Sequence, residues 1–279
     1  MIDRRVLQRV IETALAEDVN TGDITTICTV PQGTRIAGRF LSKGAGVLCG
    51  ADVAKAVFAY VDKSVAVEFH FRDGELLKAG DVIADIFGDA AAILTAERTA
   101  LNLLQRMSGI ATRTREMAEL VRDYPVKILD TRKTAPGLRM LEKYAVRVGG
   151  GHNHRFSLAD GILIKDNHIL AAGGITAAVH AARSCAPFTL KIEVETETIG
   201  QVQEALDAGA DIIMLDNMTI GQMKEAVRLI DHRAVVEASG NMSQRDLRAV
   251  AAAGVDCISI GGLTNEVRPL DISLKFNME

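Results

Sequence analysis

From residue 126 onward the chain repeats one pattern: a short apolar run, a polar residue or glycine at its end, and then a helical stretch. The six runs are VKILD, ILIKD, LKIEVE, DIIMLDN, AVVEASG and DCISIGG. Near-continuous apolar strands that alternate with helices are typical of a parallel sheet covered by helices, and right-handed crossovers tend to wind such a sheet into a barrel. We therefore predict an open, incomplete parallel α/β barrel, because six units are fewer than the usual eight.

A doubly wound open sheet is the alternative fold for the same repeat. We favour the barrel because no G-x-G-x-x-G motif follows the first apolar run, as a dinucleotide-binding sheet would require. Polar residues also recur at the carboxyl end of each run, which is where barrel enzymes place their active sites.

The first 110 residues follow a different pattern, which predicts an α+β domain. Helical spacing of apolar residues predicts a first helix within residues 1–18, and GADVAKAVFAYVD predicts another. Alternation predicts strands in RIAGRFLSK and in VAVEFHFRDG, the second running to the Asp73–Gly74 turn. Residues 91–123 are helical in pattern, with Gly109 as a predicted interruption.

The closing PLDISLKF alternates again and predicts a last strand that returns to the first domain. The predicted domains are therefore residues 1–110, joined by a strand within 268–279, and a barrel of residues 111–267.

Composition narrows the class of protein. The net charge of −4 and the pI near 5.9 give no reason to expect nucleic-acid binding. No apolar run reaches the ~18 residues that span a membrane, and the N-terminal helix lacks a signal-peptide core. The four cysteines, Cys28, Cys49, Cys185 and Cys257, form no C-x-x-C pair, so we expect a reduced, cytoplasmic protein without a zinc or disulfide framework.

Basic side chains crowd the stretch from Lys127 to Ile169, at or just after the predicted strand ends. They are Arg132, Lys133, Arg139, His154, Arg155 and Lys165. Any one of them alone would more often be a solvated surface residue. Together they predict a cradle for an anionic substrate, because the planar guanidinium fork matches carboxylate and phosphate groups.

Carboxylates follow the next two strands. Glu193 and Glu195 share one face of a strand, and Asp216 ends the strand after it. A loosely held Mg²⁺ or a cationic transition state would explain carboxylates at these positions, and an internal salt bridge to the basic set is the alternative.

Two glycine-containing loops, SGN at 239–241 and IGGLT at 260–264, follow the last two strands. Such loops let backbone N–H groups approach a phosphate, although turn glycines without a ligand are common. His152 and His154 form H-x-H, with His168 nearby, but no carboxylate stands at matching spacing for a transition metal. We therefore expect His154 to donate a hydrogen bond to an anion.

The ordered motifs resemble one family across nearly the whole chain. They are TGDITT, ERTALNLLQRMSGIAT, TRKTAPGLR, EKYAVRVGGGHNHRFSLADGILIKDNHI, EVE, IMLDN, EASG and GVDCISIGGLT with LDISL. This set is similar to the quinolinate phosphoribosyltransferases, also called nicotinate-nucleotide pyrophosphorylases (carboxylating). The resemblance implies an N-terminal α/β sandwich domain and an open α/β barrel, the type II phosphoribosyltransferase fold.

The resemblance also implies a reaction. Quinolinate and phosphoribosyl pyrophosphate, with Mg²⁺ as cofactor, would give nicotinate mononucleotide, pyrophosphate and CO₂, a step of de novo NAD biosynthesis. The enzyme would be a pentosyltransferase acting as a homodimer, or as a hexamer built as a trimer of dimers.

The resemblance further implies roles for single residues. Arg132, Lys133, His154 and Arg155 would hold the quinolinate carboxylates, with Arg98 of ERTALN donated across a dimer interface. Lys165 would lie at the substrates, and Glu195 and Asp216 at the ribose hydroxyls and at Mg²⁺, largely through substrate and water. Lys133, Lys165, Glu195 and Asp216 would be the catalytic set. The implied phosphate-binding residues are Ser239, Gly240, Asn241, Gly261 and Gly262.

Three positions depart from the family pattern. His152 replaces a small apolar residue, Asn241 replaces the second glycine of SGG, and Asn265 replaces a histidine. These departures concern the phosphate contacts rather than the reaction. The alternatives are a molybdenum-transport-associated homologue of the same fold, a barrel lyase that uses Lys165 or Lys133 as a Schiff-base amine, and a binding protein without turnover.

Overall fold

The computed structural model describes residues 2–276. These residues form two compact units. The N-terminal unit holds residues 2–115, 135–150 and 267–276, and the barrel unit holds 116–134 and 151–266. The predicted domain boundaries stay a prediction, and residues 277–279 of the predicted last strand lie outside the described residues.

Five helices belong wholly or mainly to the N-terminal unit. They are α1 (Arg4–Val19), α2 (Ile24–Thr29), α3 (Ala51–Val61), α4 (Ala90–Leu120) and α5 (Arg139–Val148). The predicted helices at α1 and α3 are confirmed. In α1 the Asp3 carboxylate accepts the N–H groups of Arg5 and Val6 at the helix start, and the apolar stripe buries Val10 and Ile11.

The N-terminal unit also holds an antiparallel four-stranded sheet in the order β12-β1-β5-β3. Its strands are β1 (Arg35–Ser42), β3 (Ala66–Phe69), β5 (Val82–Asp89) and β12 (Ile272–Phe276). A two-stranded sheet pairs β2 (Gly46–Val47) with β4 (Leu76–Leu77). Ile272 lies opposite Ser42 in the β12–β1 pair, so β12 is part of this sheet.

Two local predictions in this unit are wrong. The strand predicted to run up to an Asp73–Gly74 turn ends at Phe69, because Asp73 accepts the N–H groups of Gly50 and Ala51 at the start of α3; the turn itself is present. Gly109 does not interrupt α4, which is continuous. A Cβ at position 109 would lie 3.0 Å from the Cα of Pro269, so this glycine permits close approach of the segment that leads into β12.

The barrel unit is built on six parallel strands in the order β6-β11-β10-β9-β8-β7. They are β6 (Lys127–Leu129), β7 (Ile162–Ile164), β8 (Ile192–Thr196), β9 (Ile212–Asp216), β10 (Val235–Ser239) and β11 (Cys257–Ser259). Its helices are α6 (Asp166–Ala172), α7 (Ile175–Cys185), α8 (Ile199–Asp207), α9 (Ile220–Ile230), α10 (Leu247–Ala251) and α11 (Gly262–Asn265), with a 3₁₀ turn at Met242–Gln244. β6 and β7 stand at the two ends of this sheet order and do not pair with each other. The sheet is therefore open, which confirms the predicted open, barrel-like α/β arrangement.

Local chemistry explains why the barrel helices start where they do. Thr198 and Thr219 cap α8 and α9, each in a reciprocal pair with a glutamine three residues later. Apolar residues such as Val194, Ile213 and Ala238 are fully buried in the central strands. Since all six strands are parallel, their carboxyl ends meet at one edge, and the residues that follow them form one surface.

None of the helices in residues 2–276 is both long enough and apolar enough to cross a membrane.

Candidate active site

A cavity of about 600 Å³ opens at the carboxyl ends of the barrel strands. Twelve of the predicted site residues line it: Arg132, Lys133, His154, Arg155, Lys165, Glu195, Asp216, Ser239, Gly240, Asn241, Gly261 and Gly262. Arg98 lies in α4 of the N-terminal unit, and its role at a dimer interface stays a prediction. The remaining residue of the predicted cradle, Arg139, is the first residue of α5 in that same unit.

Lys165 and Glu195 form an ion pair on one side of this cavity. Lys165 immediately follows β7, and its Nζ lies 2.5 Å from Glu195 Oε2 on the adjacent strand β8. Lys165 also caps α6, where its N–H donates to His168 Nδ1 at 3.0 Å. The ion pair joins the ends of β7 and β8, and His168 has a structural role at the start of α6.

Asp130 fixes the segment that carries His154 and Arg155. Its carboxylate is fully buried after β6 and accepts the His154 N–H at 2.8 Å and the Asn153 side-chain amide at 2.5 Å. A bridge between Leu129 and His152 extends this connection to β6. A buried carboxylate that accepts several hydrogen bonds holds its loop firmly, so the orientation of His154 and Arg155 is set by the strand end.

The imidazole of His154 has a protein partner at each nitrogen. Its Nδ1 accepts the backbone N–H of Arg155 at 2.7 Å, so the ring hydrogen of the neutral form is on Nε2. Nε2 lies 3.1 Å from Glu193 Oε2 and 3.6 Å from Glu237 Oε2. The predicted donation from His154 to a bound anion stays a prediction.

Glu237 is a site residue that the sequence interpretation missed. It lines the cavity from β10, where only 2% of its surface is exposed. Burial, and then the negative charge of Glu193, raise the pKa of Glu237 to about 7. The available signal was a carboxylate inside the otherwise apolar run AVVEA, two residues before Ser239. Its level in the sheet became visible only from the register, in which Glu237 and Glu195 both pair with Met214.

Two guanidinium groups lie close together in the cavity wall. Arg155 donates from Nη1 to the carbonyl of Gly161 at 2.9 Å. Burial, and then the positive charge of Arg132, lower the pKa of Arg155. Since like charges destabilise one another at this range, the wall that carries Arg132 and Arg155 favours an anionic ligand.

Lys133 connects the loops that follow β6 and β11. Its carbonyl accepts the Thr264 hydroxyl at 2.8 Å, and its N–H donates to Thr131 Oγ1 at 3.0 Å. A Cβ at position 261 would lie 2.9 Å from Lys133 Cδ, so Gly261 allows the lysine side chain to pass over the backbone. This arrangement brings an ammonium group to the glycine loop that was predicted to bind phosphate.

The loops after β9 and β10 contact one another through unusual backbone conformations. Asn217, Gly240 and Asn241 have positive φ values of 55°, 94° and 53°. Asn217 donates from its amide to Asp216 Oδ2 at 2.7 Å and accepts from the Asn241 amide at 3.3 Å. Asparagine tolerates the left-handed region better than most residues, which explains how Asn241 can replace a glycine here.

Comparisons with known proteins agree over the full length. The family model for the quinolinate phosphoribosyl transferase N-terminal domain matches residues 23–108, and the model for its C-terminal domain matches residues 110–275. A probable nicotinate-nucleotide pyrophosphorylase [carboxylating] of Bacillus subtilis is 46% identical over 268 residues, which covers 96% of this chain and 92% of the relative. This chain belongs to the quinolinate phosphoribosyltransferase family.

Solved structures of the family share the fold. The nicotinate-nucleotide pyrophosphorylase from Francisella tularensis superposes with a TM-score of 0.94 at 38% identity and covers 99% of this chain and 98% of its own. The enzyme of the same name from Ehrlichia chaffeensis gives a TM-score of 0.93 at 39% identity, covering 97% of this chain and 98% of its own. The resemblance inferred from the motifs, including its two-domain fold class, is therefore confirmed.

Glu195 and Asp216 suit a loosely held Mg²⁺ in this quinolinate phosphoribosyltransferase. Both line the cavity, and carboxylate oxygens are ligands that Mg²⁺ prefers alongside substrate phosphates and water. One oxygen of each already accepts from the protein, Glu195 from Lys165 and Asp216 from Asn217. A metal shared with the substrate fits this donor set better than an all-protein cage.

The cluster of His154, Glu193 and Glu237 has the spacing of a metal site, since its ligand atoms lie within 4.8 Å of one another. The hydrogen bonds oppose that function. A histidine that binds metal through Nε2 normally donates its other ring N–H, whereas His154 Nδ1 accepts from the Arg155 amide. Nε2 therefore carries the hydrogen, and the cluster is a hydrogen-bonded one.

Proposed function

We propose that the protein transfers the phosphoribosyl group of phosphoribosyl pyrophosphate to quinolinate with loss of CO₂, giving nicotinate mononucleotide and pyrophosphate. The observation that carries this proposal is the division of charge within one cavity. Guanidinium and ammonium groups follow β6 and β7, carboxylates lie at the carboxyl ends of β8 and β9, and glycine loops follow β10 and β11. A dicarboxylate and a sugar pyrophosphate require such a division.

The cationic wall suits quinolinate. Arg132 and Arg155 present two guanidinium forks to the same cavity, and each fork can hold one carboxylate in a bidentate pair. Burial, and then the charge of Arg132, lower the pKa of Arg155, and a bound dianion would also relieve the repulsion between the two guanidinium groups. His154 holds the Arg155 backbone, and we include it in this half of the site.

The carboxylate wall suits the ribose. As pyrophosphate departs, positive charge develops on the reacting ribose carbon, and Glu195 and Asp216 stabilise it electrostatically. Lys133 and Lys165 attract the departing anion, and Lys133 lies beside Gly261 where a phosphate can reach backbone N–H groups. We assign phosphate contacts to the loops that hold Ser239, Gly240, Asn241 and Gly262 as well.

Decarboxylation needs little from the protein beyond orientation. The ring nitrogen becomes a pyridinium when it bonds to the ribose, and its positive charge stabilises the electron pair that stays on the adjacent ring carbon as CO₂ leaves. A proton from solvent then takes the place of the lost carboxyl group. Fixed carboxylate partners at Arg132 and Arg155 hold the ring so that this step follows transfer. Mg²⁺ bound with phosphoribosyl pyrophosphate supplies charge neutralisation of the pyrophosphate.

The proposal includes a homodimer in which Arg98 reaches the site of the partner subunit, with a trimer of such dimers as the larger form. We also propose that the enzyme acts in the cytoplasm, in line with its unpaired cysteines.

The ion pair of Lys165 disfavours the Schiff-base alternative. An imine-forming lysine needs a free amine that can reach a carbonyl carbon, whereas Lys165 Nζ lies 2.5 Å from the Glu195 carboxylate. Borohydride trapping with a carbonyl substrate separates the two functions. A covalent adduct at Lys165 would refute the transferase proposal.

The proposed function is tested by separating the products. Purified protein supplied with quinolinate, phosphoribosyl pyrophosphate and Mg²⁺ should form nicotinate mononucleotide and pyrophosphate in equal amounts. Lys133→Ala protein is the matched control and should form neither. Absence of the nucleotide with wild-type protein would refute the proposal.

A further inference from the structure

Glu193 and Glu237 have no role in the chemistry proposed above, yet both are almost fully buried beside the cavity. They are 4% and 2% exposed. Glu193 lies on β8 and Glu237 on β10, and β9 runs between these two strands. Burying two carboxylates side by side costs free energy, because each loses hydration and repels the other. Such a pair is expected to have a function that offsets this cost.

Both carboxylates lie beside the imidazole of His154. Each carboxylate directs Oε2 toward His154 Nε2, at 3.1 Å and 3.6 Å. Over residues 2–276, neither Glu193 Oε1 nor Glu237 Oε1 meets a hydrogen-bond partner. Glu237 also has a side-chain hydrogen bond with Ser259. The His154 N–H is therefore the donor that both carboxylates approach, and each carboxylate keeps one oxygen without a partner among the described residues.

The other ring nitrogen of His154, Nδ1, binds the backbone of the next residue, Arg155. His154 Nδ1 accepts the backbone N–H of Arg155, and the Arg155 guanidinium is anchored at its far end by the Gly161 carbonyl. If the imidazole turned about its Cβ–Cγ bond, Nδ1 would leave the Arg155 amide. Two acceptors at Nε2 oppose such a turn.

We propose that Glu193 and Glu237 are positioning residues of the dicarboxylate half of the site. Together they hold the His154 ring with Nε2–H toward the sheet and Nδ1 toward the Arg155 amide, and this fixes the guanidinium of Arg155 against its substrate carboxylate. The assignment of a carboxylate to Arg155 rests on the proposed function, whereas the ring orientation does not.

Paired double variants test the proposal by kinetics. Glu193→Leu with Glu237→Leu removes both acceptors, and replacing buried polar groups by apolar ones of similar size is generally tolerated by a fold. KM for quinolinate should rise about tenfold or more, because small displacements of a binding group cost substantial affinity. KM for phosphoribosyl pyrophosphate should change less than twofold.

The conservative double variant separates the hydrogen bond from other effects. Glu193→Gln with Glu237→Gln keeps both volumes and a carbonyl acceptor at each position, so it should restore KM for quinolinate to within about threefold of wild type. Glu197→Gln, an exposed change just beyond β8, is the control for substitution in this region.

The orientation of the ring is measured without any reference to turnover. In ¹⁵N-histidine-labelled protein, the His154 signals, assigned by their loss in His154→Gln, should show a hydrogen on Nε2 and an unprotonated Nδ1. The double leucine variant should show a mixture of the two tautomers. The double glutamine variant should keep the wild-type pattern.

Each outcome decides the proposal. An unchanged tautomer in the double leucine variant, or equal increases of KM for both substrates, would overturn it. If KM for quinolinate rose as much in the double glutamine variant as in the double leucine variant, the proposal would also be overturned. The hydrogen-bond acceptors at positions 193 and 237 would then not determine quinolinate binding. Wild-type protein that shows the expected tautomer but makes no nucleotide would refute the proposed function alone.

Discussion

Replacing Glu237 by glutamine should change how stability depends on pH. Burial and the charge of Glu193 raise the pKa of Glu237 from 4.5 to about 7. A carboxyl with a raised pKa in the folded state retains its proton there, so its contribution favours folding below pH 4.5 and is lost as pH rises through 7. Glutamine cannot ionise, so the Glu237→Gln variant should not lose this stability as pH rises.

The magnitude follows from the difference between those two pKa values. It corresponds to roughly 3 kcal/mol of the free energy of unfolding. Relative to wild type, Glu237→Gln should therefore gain about 3 kcal/mol between pH 4.5 and pH 8, which for a chain of this size is a relative gain in Tm of roughly 6–10 °C. The variant should be the more stable protein at pH 8.

Urea unfolding and thermal melting followed by circular dichroism at half-unit pH steps provide the assay. Glu197→Gln is the matched control, and its stability difference from wild type should stay flat, since that side chain is exposed. A difference between Glu237→Gln and wild type that does not grow from pH 4.5 to pH 8 would refute the reasoning about burial and repulsion.

Three further predictions concern activity and backbone strain. Arg155→Ala should lower kcat/KM for quinolinate by two orders of magnitude or more with little change in Tm, because it removes a guanidinium that binds substrate from a rigid scaffold. Steady-state kinetics and a melting curve measure the two effects, and retained activity would contradict the predicted cradle. Arg98→Ala mixed with Lys133→Ala should recover part of the activity through hybrid dimers, and no recovery after subunit exchange would count against a shared site. Gly240→Ala should lower the free energy of unfolding by roughly 1–3 kcal/mol and raise KM for phosphoribosyl pyrophosphate. The reason is that φ of Gly240 is 94° and the new Cβ would lie 2.6 Å from the Asn217 backbone nitrogen. An unchanged melting temperature would argue against strain in this loop.

The strands of the barrel unit could be predicted because each is marked by a short apolar run and by the residue at its carboxyl end. Each apolar run is a strand, and the residue type at its carboxyl end determines what the cavity can bind, so Lys165 and Asp216 could be assigned to the site from the sequence. The parallel arrangement then brings these ends together whatever the loops contain.

What the sequence did not reveal depends on contacts between distant segments. Gly109 is accommodated in a continuous helix because the backbone near Pro269 packs against it, and Asp73 ends the strand early because it caps a helix more than 20 residues earlier. Neither partner is visible from local periodicity.

The role of Glu237 was hidden for a related reason. A single carboxylate in a β-strand pattern gives no indication of its cross-sheet neighbours, and only the register places it at the level of Glu195 and beside His154. The hydrogen bonds of the His154 ring likewise required the three-dimensional positions of Arg155 and Glu193.

The central claim is that one cavity couples phosphoribosyl transfer to decarboxylation. It is tested most directly by the release of ¹⁴CO₂ from quinolinate labelled in the carboxyl group that is lost. Release should require both phosphoribosyl pyrophosphate and Mg²⁺, should equal the nicotinate mononucleotide formed, and should disappear in Lys133→Ala protein. Release of ¹⁴CO₂ without phosphoribosyl pyrophosphate, or no release with all components present, would contradict the account.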